Sequence, residues 1–125
     1  MRNEIKTEKS PAAIGPYSQA VEKNGMLFCS GQLPIIPETG ELISDNVEKA
    51  TDQVLQNLIA VVEAAGYTKK DIVKVNVFVK SIEDFAAVNK IYSKYFVETK
   101  PARAFVEVSD LPKHALIEIE AVAIK

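Results

Sequence analysis

Ile72-Val73-Lys74-Val75-Asn76-Val77-Phe78-Val79-Lys80 decides the fold. Val73, Val75, Val77 and Val79 share one face of this stretch, and Lys74, Asn76 and Phe78 the other. Such a period of two predicts a strand covered by protein on one side only. A helical pattern lies on each side of it. Upstream, Val47, Ala50, Val54, Leu58, Val61 and Ala65 recur at spacings of three and four, predicting a helix over about 46–65 with Gly66 as its C-terminal cap. Downstream, Ser81 and Asp84 resemble a capping box that opens a second helix to about residue 96. Its inner stripe is Phe85, Val88 or Asn89, Tyr92 and Phe96.

Strand signals fill the two ends. Asn24-Gly25 between two apolar runs predicts a hairpin of 20–23 with 26–30. Residues 3–7 read as a short first strand, and about 103–108 and 116–124 as the last two. The order β-β-β-α-β-α-β-β predicts an α+β sandwich, with two helices on one face of a mostly antiparallel or mixed sheet of about six strands. One domain spanning 1–125 accommodates it. The other sheet face then needs a cover. Along 103–108, Ala104, Val106 and Val108 suit the helix side, so Arg103, Phe105 and Glu107 are expected opposite, with Phe28 and Phe78. A face mixing aromatics with an arginine predicts contact between subunits.

Composition narrows the function. Net charge is −2 over 125 residues and the lysines are scattered among acids, so no nucleic-acid partner and no membrane partner are expected. No apolar run has the length of a membrane-spanning helix. Met1-Arg2-Asn3-Glu4-Ile5-Lys6 lacks the apolar block of a secretory signal, and the lone Cys29 has no partner for an intrachain disulfide. A cytoplasmic location is the expectation. One His and one Cys give no zinc site, and neither common glycine-rich phosphate loop occurs, so no metal or cofactor is expected.

Arg103 is the residue that asks for a ligand. Only two arginines occur, and the other is Arg2. A guanidinium in an apolar strand is costly unless an anion meets it, and its planar fork suits a carboxylate. The anion is either one of the protein's own glutamates or a bound acid. Glu118 and Glu120, two apart on the last strand, share a face. By spacing, one of them pairs with Arg103 or a lysine and the other is solvated; the functional alternative is a carboxylate that holds a water. Gly31, after Ser30, is an ordinary turn glycine or an exposed N–H for a ligand oxygen. Tyr17, behind Gly15-Pro16, is a core tyrosine or a pocket wall. Cys29 reads as a small buried residue and His114 as exposed in a polar turn.

Taken together, several segments resemble the Rid family of reactive-intermediate deaminases, over nearly the whole length. They are Ala12-Ala13-Ile14-Gly15-Pro16-Tyr17-Ser18-Gln19-Ala20, Ser30-Gly31-Gln32-Leu33-Pro34, Asn57 with 60–66, Asp71-Ile72-Val73-Lys74, Phe85 with Asn89, Pro101-Ala102-Arg103, and Leu111-Pro112 leading into Ile117-Glu118-Ile119-Glu120-Ala121. The resemblance implies a chorismate-mutase-like fold and a homotrimer with sheets inside and a cleft at each subunit interface. It implies that Arg103 grips the carboxylate of a small 2-imino or 2-keto acid and that Glu118 orients the attacking water. Tyr17, Ser30, Gly31 and Asn89 match substrate-binding positions, and Glu120 a structural neighbour. Phe105 stands where many members have cysteine; its N–H remains a substrate contact, and thiol-based regulation is not expected. The rival expectations are an endoribonuclease or translation inhibitor, and a non-catalytic 2-keto-acid-binding or chaperone-like trimer.

Overall fold

Asn24 and Gly25 take left-handed backbone angles, φ 53° and 75°. That pair is what a two-residue hairpin turn demands, and it joins Lys23 to Met26 as cross-strand partners. In this computed structural model, which describes residues 2–125, the hairpin belongs to one six-stranded sheet. The strands are β1 (Asn3–Ile5), β2 (Ala20–Lys23), β3 (Met26–Gln32), β4 (Ile72–Val79), β5 (Ala102–Glu107) and β6 (Ile117–Ile124). They lie in the order β1-β2-β3-β6-β4-β5. Every pairing is antiparallel except β4 with β5, which is parallel because a helix crosses between them.

The helices are α1 (Val47–Ala64) and α2 (Phe85–Tyr95), packed on each other and on one sheet face. Asn46 caps α1 by accepting the Lys49 N–H at 2.9 Å. Gly66, at φ 83°, ends it, with Gly66 N–H to Glu63 O at 3.0 Å and Tyr67 N–H to Val62 O at 3.1 Å. The capping box expected at Ser81 and Asp84 does not form. Ser81 caps a short 3₁₀ turn through the Glu83 N–H, and Asp84 makes no cap bond to α2. A true box sits instead at Thr68 and Asp71.

Under the helices, Val75, Val77, Val79, Ile117, Ile119 and Leu27 are fully buried against Val54, Leu58, Val61 and Val88. Burying each such side chain stabilises the fold by about 1.5–3 kcal/mol. Two bulges break the alternation. Between Ile72 and Lys74 the register slips, so Ile72 joins the core and Val73 turns out to solvent, against expectation. Between Cys29 and Gln32, Ser30 and Gly31 together oppose the single Glu120, so β3 runs two residues beyond the expected end.

The facing of β5 is the reverse of the expected one. In a parallel ladder, paired residues point to the same side. Arg103, Phe105 and Glu107 pair with Val75, Val77 and Val79, whose side chains are in the core. Arg103 and Phe105 therefore sit on the helix face. Ala104 and Val106 point to the open face, where Val106 is 43% exposed and Phe28 48%. No helix among the described residues is long and apolar enough to cross a membrane.

Asn57 ties the loop after β3 to α1. It is buried, and its amide donates to the carbonyls of Leu33 at 3.1 Å and Ile35 at 2.9 Å. Asn57→Leu orphans both carbonyls, so a loss of about 3 kcal/mol is expected. Urea unfolding with the midpoint and slope of wild type is the result that contradicts this.

Candidate active site

Two half-sites lie on opposite faces of the sheet. The first is built on β5 and α2. Arg103 is half-buried, and its Nη1 donates to Asn89 Oδ1 at 2.7 Å. Its guanidinium carbon lies 4.7 Å from the Tyr92 ring centroid, 5.3 Å from that of Phe105 and 5.8 Å from that of Phe85. Phe85 and Phe105 meet edge to face at 4.8 Å. Among the described residues no carboxylate lies within ion-pair distance of Arg103. Its Nε and Nη2 have no hydrogen-bond partner among the described residues and, unlike the Tyr92 hydroxyl, are not sealed from solvent. The pairing of Arg103 with Glu118 or Glu120 expected from spacing is thus absent. The pleat forbids it, because both glutamates point to the other face.

The second half-site is on that open face, at the β3 bulge and β6. Glu118 lies over Gly31. A Cβ built on Gly31 would come within 2.7 Å of the Glu118 Cδ, so only glycine coexists with this carboxylate position. Burial, and then the charge of Glu120, raise the pKa of Glu118 above the usual 4.5. Glu120 is tied down by the Asn76 amide at 2.9 Å. Ser30 Oγ donates to the Ser18 carbonyl at 2.6 Å, which fixes the bulge against the loop before β2. Tyr17 is exposed there, a wall rather than a core residue. It borders a groove of about 650 Å³ shared with Ser30 and Phe28, and a second hollow shared with Gly31, Ile14 and Lys113. Neither hollow reaches Arg103.

The sequence-predicted residues thus fall into two groups: Arg103, Asn89 and Phe105 in one, and Tyr17, Ser30, Gly31 and Glu118 in the other. Sequence reasoning missed Gln19, which supports the second group. Its buried side chain accepts the Thr7 N–H at 2.7 Å and donates to the carbonyls of Thr7, Ser10 and Pro11, pinning the loop that carries Tyr17. Cys29 is buried and its thiol is pushed up to about 12, as expected of an inert residue. His114 is exposed and pairs with Asp110.

A two-helix, six-strand α+β sandwich thus holds an arginine fork among three aromatic rings and one amide. Comparison with known proteins identifies the family. The family model described as Endoribonuclease L-PSP matches residues 7–125. The 2-iminobutanoate/2-iminopropanoate deaminase of Escherichia coli is 51% identical over 128 residues, covering 100% of this chain and 99% of that protein. A solved Rid-family protein of Yersinia pestis superposes with a TM-score of 0.97 at 51% identity, covering 100% of both chains. Escherichia coli TdcF, solved with bound serine, gives 0.95 at 42% identity over 98% of each chain. The chain belongs to this Endoribonuclease L-PSP family, several of whose relatives carry the Rid name.

Because its pKa is raised in the fold, an ionised Glu118 costs stability once the pH exceeds the unfolded value of 4.5. Glu118→Gln is expected to raise the melting temperature at pH 7, and the gain is expected to vanish well below pH 4.5. Melting curves across that range check the sign; a lower melting temperature at pH 7 contradicts it.

Proposed function

We propose that this protein is an imine deaminase that hydrolyses 2-imino acids, such as those formed from 2-aminoacrylate and 2-aminocrotonate, to 2-keto acids and ammonia. The observation that carries this reading is the open Arg103 fork on one sheet face and the raised Glu118 carboxylate on the other. No single chain can close a site from both, so a second copy must supply the missing half. The reading is a homotrimer, each chain one domain over 1–125, with the open sheet faces turned inward and a cleft at each interface. Exposed Phe28 and Val106 on that face support it. A cytoplasmic location goes with this reading, supported by the single buried cysteine.

In the cleft, Arg103 of one protomer takes the substrate carboxylate on its free Nε–Nη2 edge, with Asn89 holding the other nitrogen. Gly31 N–H of the neighbour supports the bound acid, with Tyr17 and Ser30 beside it and the Phe105 backbone N–H on the arginine side. Glu118 of the neighbour, ionised, accepts a proton as water adds to the C=N carbon. A pKa moved toward neutrality suits a proton acceptor better than an ordinary glutamate. Glu118 passes that proton to nitrogen, giving the neutral carbinolamine; its hydroxyl proton then moves to nitrogen as the C–N bond breaks, releasing ammonia and leaving the ketone. As drawn, the reaction asks for no metal or organic cofactor. Imines hydrolyse in water unaided, so positioning is enough to accelerate them. The benefit to the cell is removal of reactive enamines that attack pyridoxal-phosphate enzymes.

Arg103→Lys and Arg103→Ala are each expected to abolish accelerated keto-acid release in an assay fed by a serine/threonine dehydratase; wild-type rates in both defeat the assignment. Arg103→Ala and Glu118→Gln chains, each inactive alone, are expected to regain activity when dissociated and reassembled together. Random mixing restores about a quarter of the sites when the two residues come from different copies. No recovery in verified mixed oligomers places both residues in one chain's site. Gly31→Ala is expected to lower turnover about 100-fold by displacing Glu118, while 2-ketobutyrate binding, read by calorimetry, stays within a few-fold of wild type. Normal turnover removes Glu118 from the reaction.

A further inference from the structure

Tyr92 has no role in the reading above, yet two features set it apart. Its ring has the shortest centroid distance to the Arg103 guanidinium of the three rings around it, at 4.7 Å. Its hydroxyl is buried with no hydrogen-bond partner among the described residues, while the residue as a whole is only 8% exposed. An orphaned buried hydroxyl is destabilising and uncommon, and asks for a reason. Burial pushes the Tyr92 pKa up, with the charge of Arg103 pulling the other way, so the ring stays neutral at ordinary pH.

We propose that Tyr92 is a positioning residue: its ring face seats the guanidinium of Arg103, and the ring rather than the hydroxyl does the work. The proposal deepens the deaminase reading and rests on it. Arginine has four rotatable side-chain bonds, and a freely swinging fork loses affinity in being ordered. Here the plane is constrained on two sides. The Tyr92 face attracts the cation, and Asn89 holds Nη1 at 2.7 Å. What remains is one edge, Nε and Nη2, which has no partner among the described residues and is not sealed from solvent, and so is open to a carboxylate. Tyr92 gains its place by packing, since α2 also buries Val88 and Ile91, and Phe96, just past the helix end, meets Tyr92 at 4.8 Å between ring centroids. The hydroxyl is carried inward with the ring and left without a partner.

The test uses Tyr92→Phe, which keeps the ring, and Tyr92→Leu, which removes it. If Tyr92→Leu does not fold, Tyr92→Met takes its place. Tyr92→Phe is expected to bind 2-ketobutyrate as wild type does and to melt no lower. Tyr92→Leu is expected to lose about 3- to 30-fold in affinity and to raise KM with kcat held. A merely structural role would lower the melting temperature and leave KM alone. A ligand-free readout separates the seat from the chemistry. With only two arginines in the chain, the Arg103 Nε–H signal is readily assigned by nitrogen-15 NMR. It should be ring-shifted in wild type and Tyr92→Phe, and move part of the way toward the position of a free arginine in Tyr92→Leu, where Phe85 and Phe105 remain. An unmoved signal in Tyr92→Leu overturns the seat, as does wild-type KM in that variant or a Tyr92→Phe that binds as poorly as Tyr92→Leu. If wild type binds no keto acid but the signal behaves as expected, the seat stands and the deaminase reading falls.

Discussion

The pleat of the sheet is the constraint on which everything else depends. Side chains that pair across parallel strands share a face, and β4 has committed Val75, Val77 and Val79 to the core. Arg103 is thereby drawn under α2, and Glu118, paired with Phe78, is sent to the opposite side. No rotamer change moves either one through the sheet. A chain that needs both groups on one substrate has to borrow one of them, so assembly is part of the chemistry under this reading rather than an added layer of stability.

Each half-site is expensive in its own way. On the helix face a cation is half-desolvated without a counter-ion, and three aromatic rings and one amide stand in for it. On the open face a carboxylate is held beside another carboxylate, in space that a side chain on Gly31 would take. Both arrangements cost stability, and neither charge meets an opposite charge among the described residues. Charges held in this way recur at functional sites. The rigid core of valines and the tied loops at Asn57 and Gln19 offset the cost.

Much of this was legible in the chain. The hairpin at Asn24-Gly25, the two amphipathic helices and the element order follow from local chemistry, and the structure agrees. The family resemblance rested on segments spread along nearly the whole chain, and the comparisons agree with it. What was not legible is instructive. Along β5, Ala102, Ala104 and Val106 alternate with Arg103, Phe105 and Glu107, and by hydropathy alone the first set looks like the core face. The strand's partner decides otherwise, and a parallel register is not written in either strand. Bulges have no local signal either, so Val73 was assigned to the wrong side. Gln19 and Asn57 look like surface amides; their partners lie 8–12 and 22–24 residues away. The space over Gly31 is defined by a residue from another strand, and nothing near Gly31 in sequence foretells it.

The burial of Cys29 has a consequence for redox behaviour. With its pKa pushed up to about 12, on the order of one chain in 10⁵ carries a thiolate at neutral pH. Phe105 contributes no sulfur beside Arg103. The molecule therefore has no handle by which peroxide or hypochlorite could tune it through cysteine. Under the proposed reading, its turnover should not respond to such oxidants through a thiol.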